Sequence, residues 1–198
     1  MQFHPDILNR YISPSIASFN KAEIPDLRQR YDQSEQWLTN HYLKALFARD
    51  YRDKYRQFMV TLLARAQTLF AFYHEARALT QDFLAESRPE SPAIRRYYAA
   101  VARWESCFLN YQMFIDTYNK LSDCKAFQKA DDTTEKRAYD IANVIKHWGG
   151  IVEAGKHDSQ QTLPLWLSSD GFHTYQHVLS YAEFADILAA VGDAANEI

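Results

Sequence analysis

Glycine is missing from the first 148 residues of this 198-residue chain, and between Asp26 and Arg88 there is no proline either. Those are the two residues that most readily break a helix, so their absence leaves long uninterrupted helices as the natural state of the first three quarters of the sequence. Cysteine is almost as scarce. Cys107 and Cys124 stand in helical-looking sequence, and neither their number nor their spacing makes a disulfide framework or a thiolate metal site, so both are expected as reduced thiols. No apolar run approaches the roughly 18 residues that a membrane span needs, and Met1 to Asp6 lack the basic start and apolar stretch of a signal peptide. The expectation is a cytoplasmic protein with no membrane partner. An excess of one charge is lacking too. The formal net charge is −3 and the pI near 6.2, which excludes a global basic field for phosphate backbones and leaves only local contacts.

What is present is apolar and aromatic. Apolar residues make up 47% of the chain, with 13 Tyr and 12 Phe, enough to give residues 1–198 one domain with its own core. The aromatic stripes exceed what one core obviously needs, which predicts a homodimer of two-fold symmetry.

The spacing of residues predicts an all-α, up-and-down bundle of about four main helices with a small C-terminal appendage, which has room for one short hairpin. Residues 1–25, punctuated by Pro5, Pro14 and Pro25, read as an irregular arm over the bundle with room for one short helix. A first main helix is expected from Asp26 to about Asp50, on the stripe Leu27, Tyr31, Trp37, Leu38, Tyr42, Leu46 and Phe47. The charged patch from Arg49 to Lys54 is either a turn or a solvated stretch. Beyond it Phe58, Leu62, Leu69, Phe72, Leu79 and Phe83 continue a stripe to about Ser87, as one helix or two. Ser91 as N-cap and Pro92 as first helical residue predict a new helix. Its apolar residues Tyr97, Val101, Trp104, Phe108, Tyr111, Ile115 and Tyr118 step by four and three and mark it as the centre of the bundle. A fourth helix opens at a capping box, Asp132 to Glu135, and ends at Gly149-Gly150. Residues 150–180 read as irregular with short strands, Thr162 to Leu167 pairing with the Phe172 to Leu179 stretch. A second capping box, Ser180 to Glu183, starts a final helix over 181–196.

Chemistry concentrates on the fourth helix. Asp140, Asn143 and His147 step by three and four and so share one face, beside the buried stripe Ile141, Ile145 and Trp148. Two readings of that face stand side by side. In one, Asn143 and His147 merely hydrogen-bond near the helix's C-terminal end, where a protonated imidazole suits the dipole. In the other the face is kept for a ligand.

The stretch Ile141-Ala142-Asn143-Val144-Ile145-Lys146-His147, on a late helix that follows a long helix with an internal acid (Trp104-Glu105), resembles the signature region of HEPN domains. These are helical bundles, many of them metal-independent ribonucleases. The family pattern is an Arg, a polar residue often Asn directly after it, and a His that follows the Arg after four to six intervening residues. Asn143 and His147 match. The Arg does not, because its three permitted positions hold Asp140, Ile141 and Ala142, while Arg137 lies about 15 Å back along the helix axis. The resemblance implies His147 as a catalytic base with Asn143 beside it, and Asp140 and Lys146 as binding residues. Cleaving RNA without a metal needs both a base near neutral pH and a fixed charge on the phosphate, and His147 supplies only the first. Lys146 points about 100° away on the helix and is a poor substitute.

The leading expectation is therefore a non-catalytic or degenerate HEPN-like binding module for RNA or a nucleotide, with a toxin–antitoxin or phage-defence setting implied by the family. One alternative is an active ribonuclease in which a symmetric dimer brings Arg or Lys to His147. Another is a structural helical protein that recognises a partner protein. Ala142→Arg is the matching variant for latent chemistry. No cofactor and no metal are expected: His157, His173 and His177 have no Cys partners, and on an extended strand His173 and His177 would stand about 13 Å apart. Phosphate-loop, nucleophile-elbow and zinc-protease motifs are absent. The clusters Arg95-Arg96 with Arg103, and Arg49, Arg52, Lys54, Arg56 with Arg65, are interleaved with acids and read as solvated surface.

Overall fold

The computed structural model describes residues 4–47, 53–88, 91–123, 125–128, 130–157 and 161–198, with the side chains of 45–47 and 53–54 also left aside. The charged turn near Asp50 and Cys124 lie outside the described residues. The elements follow in the order α1 (Pro5–Tyr11), α2 (Trp37–Phe47), α3 (Asp53–Glu86), α4 (Ile94–Ser122), α5 (Thr134–Glu153), β1 (Trp166–Leu167), β2 (Phe172–His173), β3 (Val178–Leu179) and α6 (Tyr181–Glu197). The architecture is the expected all-α bundle with a small C-terminal sheet.

Asp53–Glu86, within the glycine- and proline-free sequence, folds as one unbroken 34-residue helix, α3, and its packing along α4 is the most extensive among the described residues. On α4 the stepped stripe is buried from Tyr97 to Ile115, as its spacing predicts, whereas its last member, Tyr118, is exposed. Tyr97, Trp104, Phe108 and Tyr111 are at most 1% exposed. The Trp104 ring meets Tyr73 of α3, Phe172 of β2 and Phe184 of α6 at centroid separations of 5.4, 4.7 and 6.2 Å. Its indole N–H donates to Thr80 Oγ1 at 2.9 Å, so the one polar atom of this buried ring is satisfied. Cys107 sits in the same core, where burial pushes its thiol well above the usual range and makes it a packing residue.

The first main helix is a correction. The continuous α-helix begins at Trp37, not at Asp26, preceded by a 3₁₀ turn at Ser34–Gln36. Residues 24–28 are held in a different conformation by side chains. Tyr73 Oη donates to the Pro25 carbonyl at 2.8 Å, Arg77 Nε donates to the Ile24 carbonyl at 3.0 Å, and the Asp26 carboxylate accepts from the Arg28 amide at 3.1 Å. A short acid bonding the backbone two residues on competes directly with helix formation. The Arg28 and Arg77 guanidiniums hold the Asp26 carboxyl down at about 2.

Three helix ends also differ from expectation. α4 starts at Ile94 with Ala93 as its cap, while Ser91 pairs back to Arg88 in an isolated bridge. At the start of α5 the N-cap is Thr133, whose side chain accepts from the Lys136 amide, so no Asp132–Glu135 box forms. Nor does α5 stop at Gly149-Gly150: it runs to Glu153 and closes on Gly155, whose φ is +61°. The amides of Gly155 and Lys156 reach back to the carbonyls of Val152 and Ile151 at 3.0 and 3.1 Å, which is a Schellman ending and needs the left-handed residue at 155. The Ser180–Glu183 box on α6 forms as expected.

The appendage is larger than one hairpin. β1, β2 and β3 form a three-stranded antiparallel meander in which Leu167 faces Phe172 and Phe172 faces Leu179. Its apolar face closes the core over Trp104. The N-terminal arm packs across the bundle through buried Leu8, Ile16 and Phe19, and Tyr97 Oη ties it to the sheet by contacting Ser13 Oγ at 2.7 Å and accepting from the Leu167 amide at 3.0 Å. Many of the bulky rings are thus absorbed in this core, while among the described residues Tyr11, Tyr42, Tyr55, Tyr98 and Tyr118 stay exposed.

Candidate functional site

α4 and α5 run antiparallel, with Gln112 Nε2 donating to Asn143 Oδ1 at 2.6 Å and Tyr139 Oη donating to Asp116 Oδ1 at 2.8 Å. These bonds fix the rotation of α5. Ile141 and Ala142 face the core and are fully buried, which leaves Asp140, Asn143 and His147 on the outward side. A concavity of about 450 Å³ lies there, with Val144 and Ile151 as its apolar part and Tyr175, Gln176 and His177 as its opposite wall. Three of the four residues singled out from sequence thus share one groove. Lys146 does not line it and is exposed.

The opposite wall comes from the turn between β2 and β3. Thr174 Oγ1 accepts from the His177 amide at 2.9 Å and from the Gln176 amide at 3.3 Å, and the Thr174 amide donates to the His177 carbonyl at 2.9 Å. A hydroxyl closing its own turn in this way is a local, sequence-encoded device. It overturns the extended 172–178 strand and carries His177 to α5, away from His173. Arg137 holds this turn in place by donating to the Val178 carbonyl at 3.1 Å and to Glu183 Oε1 at 2.9 Å.

Burial pushes the His177 imidazole below its usual pKa, with the Lys136 and Arg137 cations adding to the effect and Asp140 opposing it. It is therefore a neutral heterocycle near pH 7, with one N–H donor and one acceptor. Asp140 is ion-paired with Lys136, one turn back on α5. The groove thus offers amide, imidazole and phenol groups and one carboxylate, and the nearby Arg137 guanidinium is spent on Glu183 and Val178.

Glu105 lies two helical turns before Gln112 on the same side of α4, towards the last turns of α5. Burial raises its carboxyl to about 7.

A second polar cluster has the composition of a hydrolase triad but not its geometry. Ser168 Oγ and Asp170 Oδ1 both approach Nε2 of His173, at 2.7 and 3.1 Å. A relay needs the acid and the hydroxyl on opposite ring nitrogens. Here all three belong to the β1–β2 hairpin, where Ser168 also bonds Asp170 directly and Trp166 stacks on the imidazole at 5.8 Å. Among the described residues no three His, Cys, Asp or Glu side chains gather as metal ligands, and no helix is long and apolar enough to cross a membrane. Arg96 and Arg103, from the basic clusters, pair with Glu86 and Glu75.

No protein-family model, no curated protein and no solved structure matches this chain.

His177, with Tyr175 and Gln176 of the same turn, is a groove residue that sequence reasoning missed. Its signal was Thr174, a short hydroxyl three residues ahead, which marks a turn rather than a strand.

Proposed function

We propose that the chain is a HEPN-like binding module without catalysis, which takes RNA or a nucleotide in the groove between α5 and the β2–β3 turn. The observation that carries this reading is the fate of the three positions where the family's Arg would stand. Ile141 and Ala142 are core residues with no exposure, and the one position open to the groove, Asp140, holds a carboxylate paired to Lys136. A negative charge there disfavours a phosphate gaining charge beside His147, while leaving room for a base edge to meet Asn143, His147 and His177. The toxin–antitoxin or phage-defence setting and a cytoplasmic homodimer belong to the same reading and rest on the family resemblance.

The test is anisotropy of a 5′-labelled oligoribonucleotide together with a cleavage gel. Saturable binding, at least tenfold weaker in His147→Ala and with the RNA intact, is the expected result. Robust His147-dependent cleavage would instead promote the ribonuclease, completed by a cation from a second chain. For latent chemistry Asp140→Arg replaces Ala142→Arg, since an arginine at 142 would have to enter the core.

A partner-protein reading also has an observation in its favour. Tyr111, Ile115 and Tyr118 of α4 and Ile187, Val191 and Ile198 at α6 line an apolar groove of about 390 Å³.

A further inference from the structure

We infer that the α5 groove continues into a phosphate subsite formed by Lys125 and Lys136, so that its ligand lies with phosphate towards the 125–131 loop and base towards the His177 turn. This rests on the reading of the groove as a ligand site. A second concavity, of about 380 Å³, adjoins the first, and Asp140 and Asn143 form part of both walls. The two are therefore one trough along α5, with different chemistry at its ends. At one end stand Lys125 and Lys136, with Asn119, Gln128 and Tyr139 beside them. At the other stand Asn143, His147, Tyr175, Gln176 and His177, without a cation.

The cationic end is preformed. Asn119 Oδ1 accepts from the Ala126 amide and Asp131 Oδ2 accepts from the Gln128 amide, each at 2.6 Å, so two side chains fix the loop that carries Lys125. Phe127 anchors that loop edge-on against Tyr139 of α5, with centroids 5.7 Å apart. The Lys136 side chain is only 17% exposed and its ammonium is paired with Asp140 at the shared wall. Lys125 and Lys136 line this end together with Asp140, while Asp131 and Asp116 stand just behind it on Gln128 and Tyr139, so what it offers a phosphate is two ammonium groups rather than a net positive charge. A phosphate entering here meets Lys125 directly and draws Lys136 towards itself. From the level of Asp140 to that of His147 is seven residues, about 10 Å along α5. That is the reach of one nucleotide, so its base arrives among groups with neutral donors and acceptors and a phenol ring for stacking.

The test is ¹⁵N NMR titration of the full chain with three probes: adenosine, inorganic pyrophosphate and adenosine diphosphate. Pyrophosphate should shift the amides of the 125–131 loop and the first turns of α5, adenosine those of Tyr175 to His177, and the diphosphate both sets. Lys125→Ala combined with Lys136→Gln should weaken pyrophosphate and the diphosphate about tenfold and leave adenosine unchanged. Lys125→Glu, at an exposed position, should do the same without disturbing Asp140. Adenosine shifts at the turn with pyrophosphate moving nothing at the loop would overturn the subsite and leave the groove reading intact. Pyrophosphate binding at the loop with no adenosine shift would uphold the lysine subsite and overturn the base end. Silence from all three would overturn both.

Discussion

Glu105 carries the clearest pH signature of any residue here. Its carboxyl is raised by burial from 4.5 to about 7, so between those values the folded chain holds a proton that the unfolded chain has released. Stability must then fall as pH rises through that window, by about 3 kcal/mol if the whole shift is realised. Glu105→Gln removes the ionisation and keeps the shape. Urea unfolding should show the variant and the parent alike near pH 4.5 and the variant more stable near pH 8; equal curves at both pH values would mean that the carboxylate is solvated. The half-buried imidazoles of His74 and His177, pushed below their usual range, act in the opposite sense and cost stability as pH falls below about 6.5, so the single variant is needed to isolate Glu105. Thr80→Val strips the Trp104 indole of its acceptor in a site with no exposure and should cost about 1–3 kcal/mol in denaturant melts. By contrast, His147 is exposed on the groove wall, and His147→Ala should stay within about 1 kcal/mol of the parent. At this scale the sequence was informative where periodicity applies: the steps of three and four put Asp140, Asn143 and His147 on one face. It was silent on Lys146, because an exposed position one residue from the groove face obeys the same helical pattern as a lining one.

Elements were legible where their signals are local, and obscure where tertiary hydrogen bonds decide. The unbroken α3, the α4 stripe and the α6 capping box follow from glycine and proline placement, helical periodicity and Ser180 with Glu183. The start of the 24–36 segment does not, because the groups that hold Ile24 and Pro25 out of a helix, Tyr73 and Arg77, lie about fifty residues further along the chain. The end of α5 misled because paired glycines signal a stop, whereas the residue that the ending needs in the left-handed region is Gly155. The sheet depends on one glycine in particular. Gly171 has φ of +149°, and a Cβ there would stand 2.2 Å from the Leu179 carbonyl oxygen on β3. Gly171→Ala should therefore cost at least about 3 kcal/mol and loosen the wall that carries His177, seen as faster amide exchange over 172–179. Exchange unchanged from the parent would show that the turn relaxes at no cost.

For the whole molecule, α3, α4, α6 and the sheet share one set of aromatic contacts around Trp104, Phe172 and Phe184, and the arm joins the same core through Phe19 on Phe83 and Tyr97. That continuity is why the surplus of rings is not by itself an argument for a second chain. Composition could not give the trough on α5, since its walls come from the loop before α5, from α5 itself and from the β2–β3 turn, about fifty residues apart in sequence. The central claim is that this trough is where the ligand sits. Photo-crosslinking of a 4-thiouridine oligoribonucleotide to the full chain, with the attached peptides mapped by mass spectrometry, tests it directly. The account predicts adducts confined to Asn143 to His147, Tyr175 to His177 and the 125–131 loop, abolished by competing unlabelled RNA; adducts concentrated instead on the Arg95-Arg96 face, or on none of these segments, would contradict it.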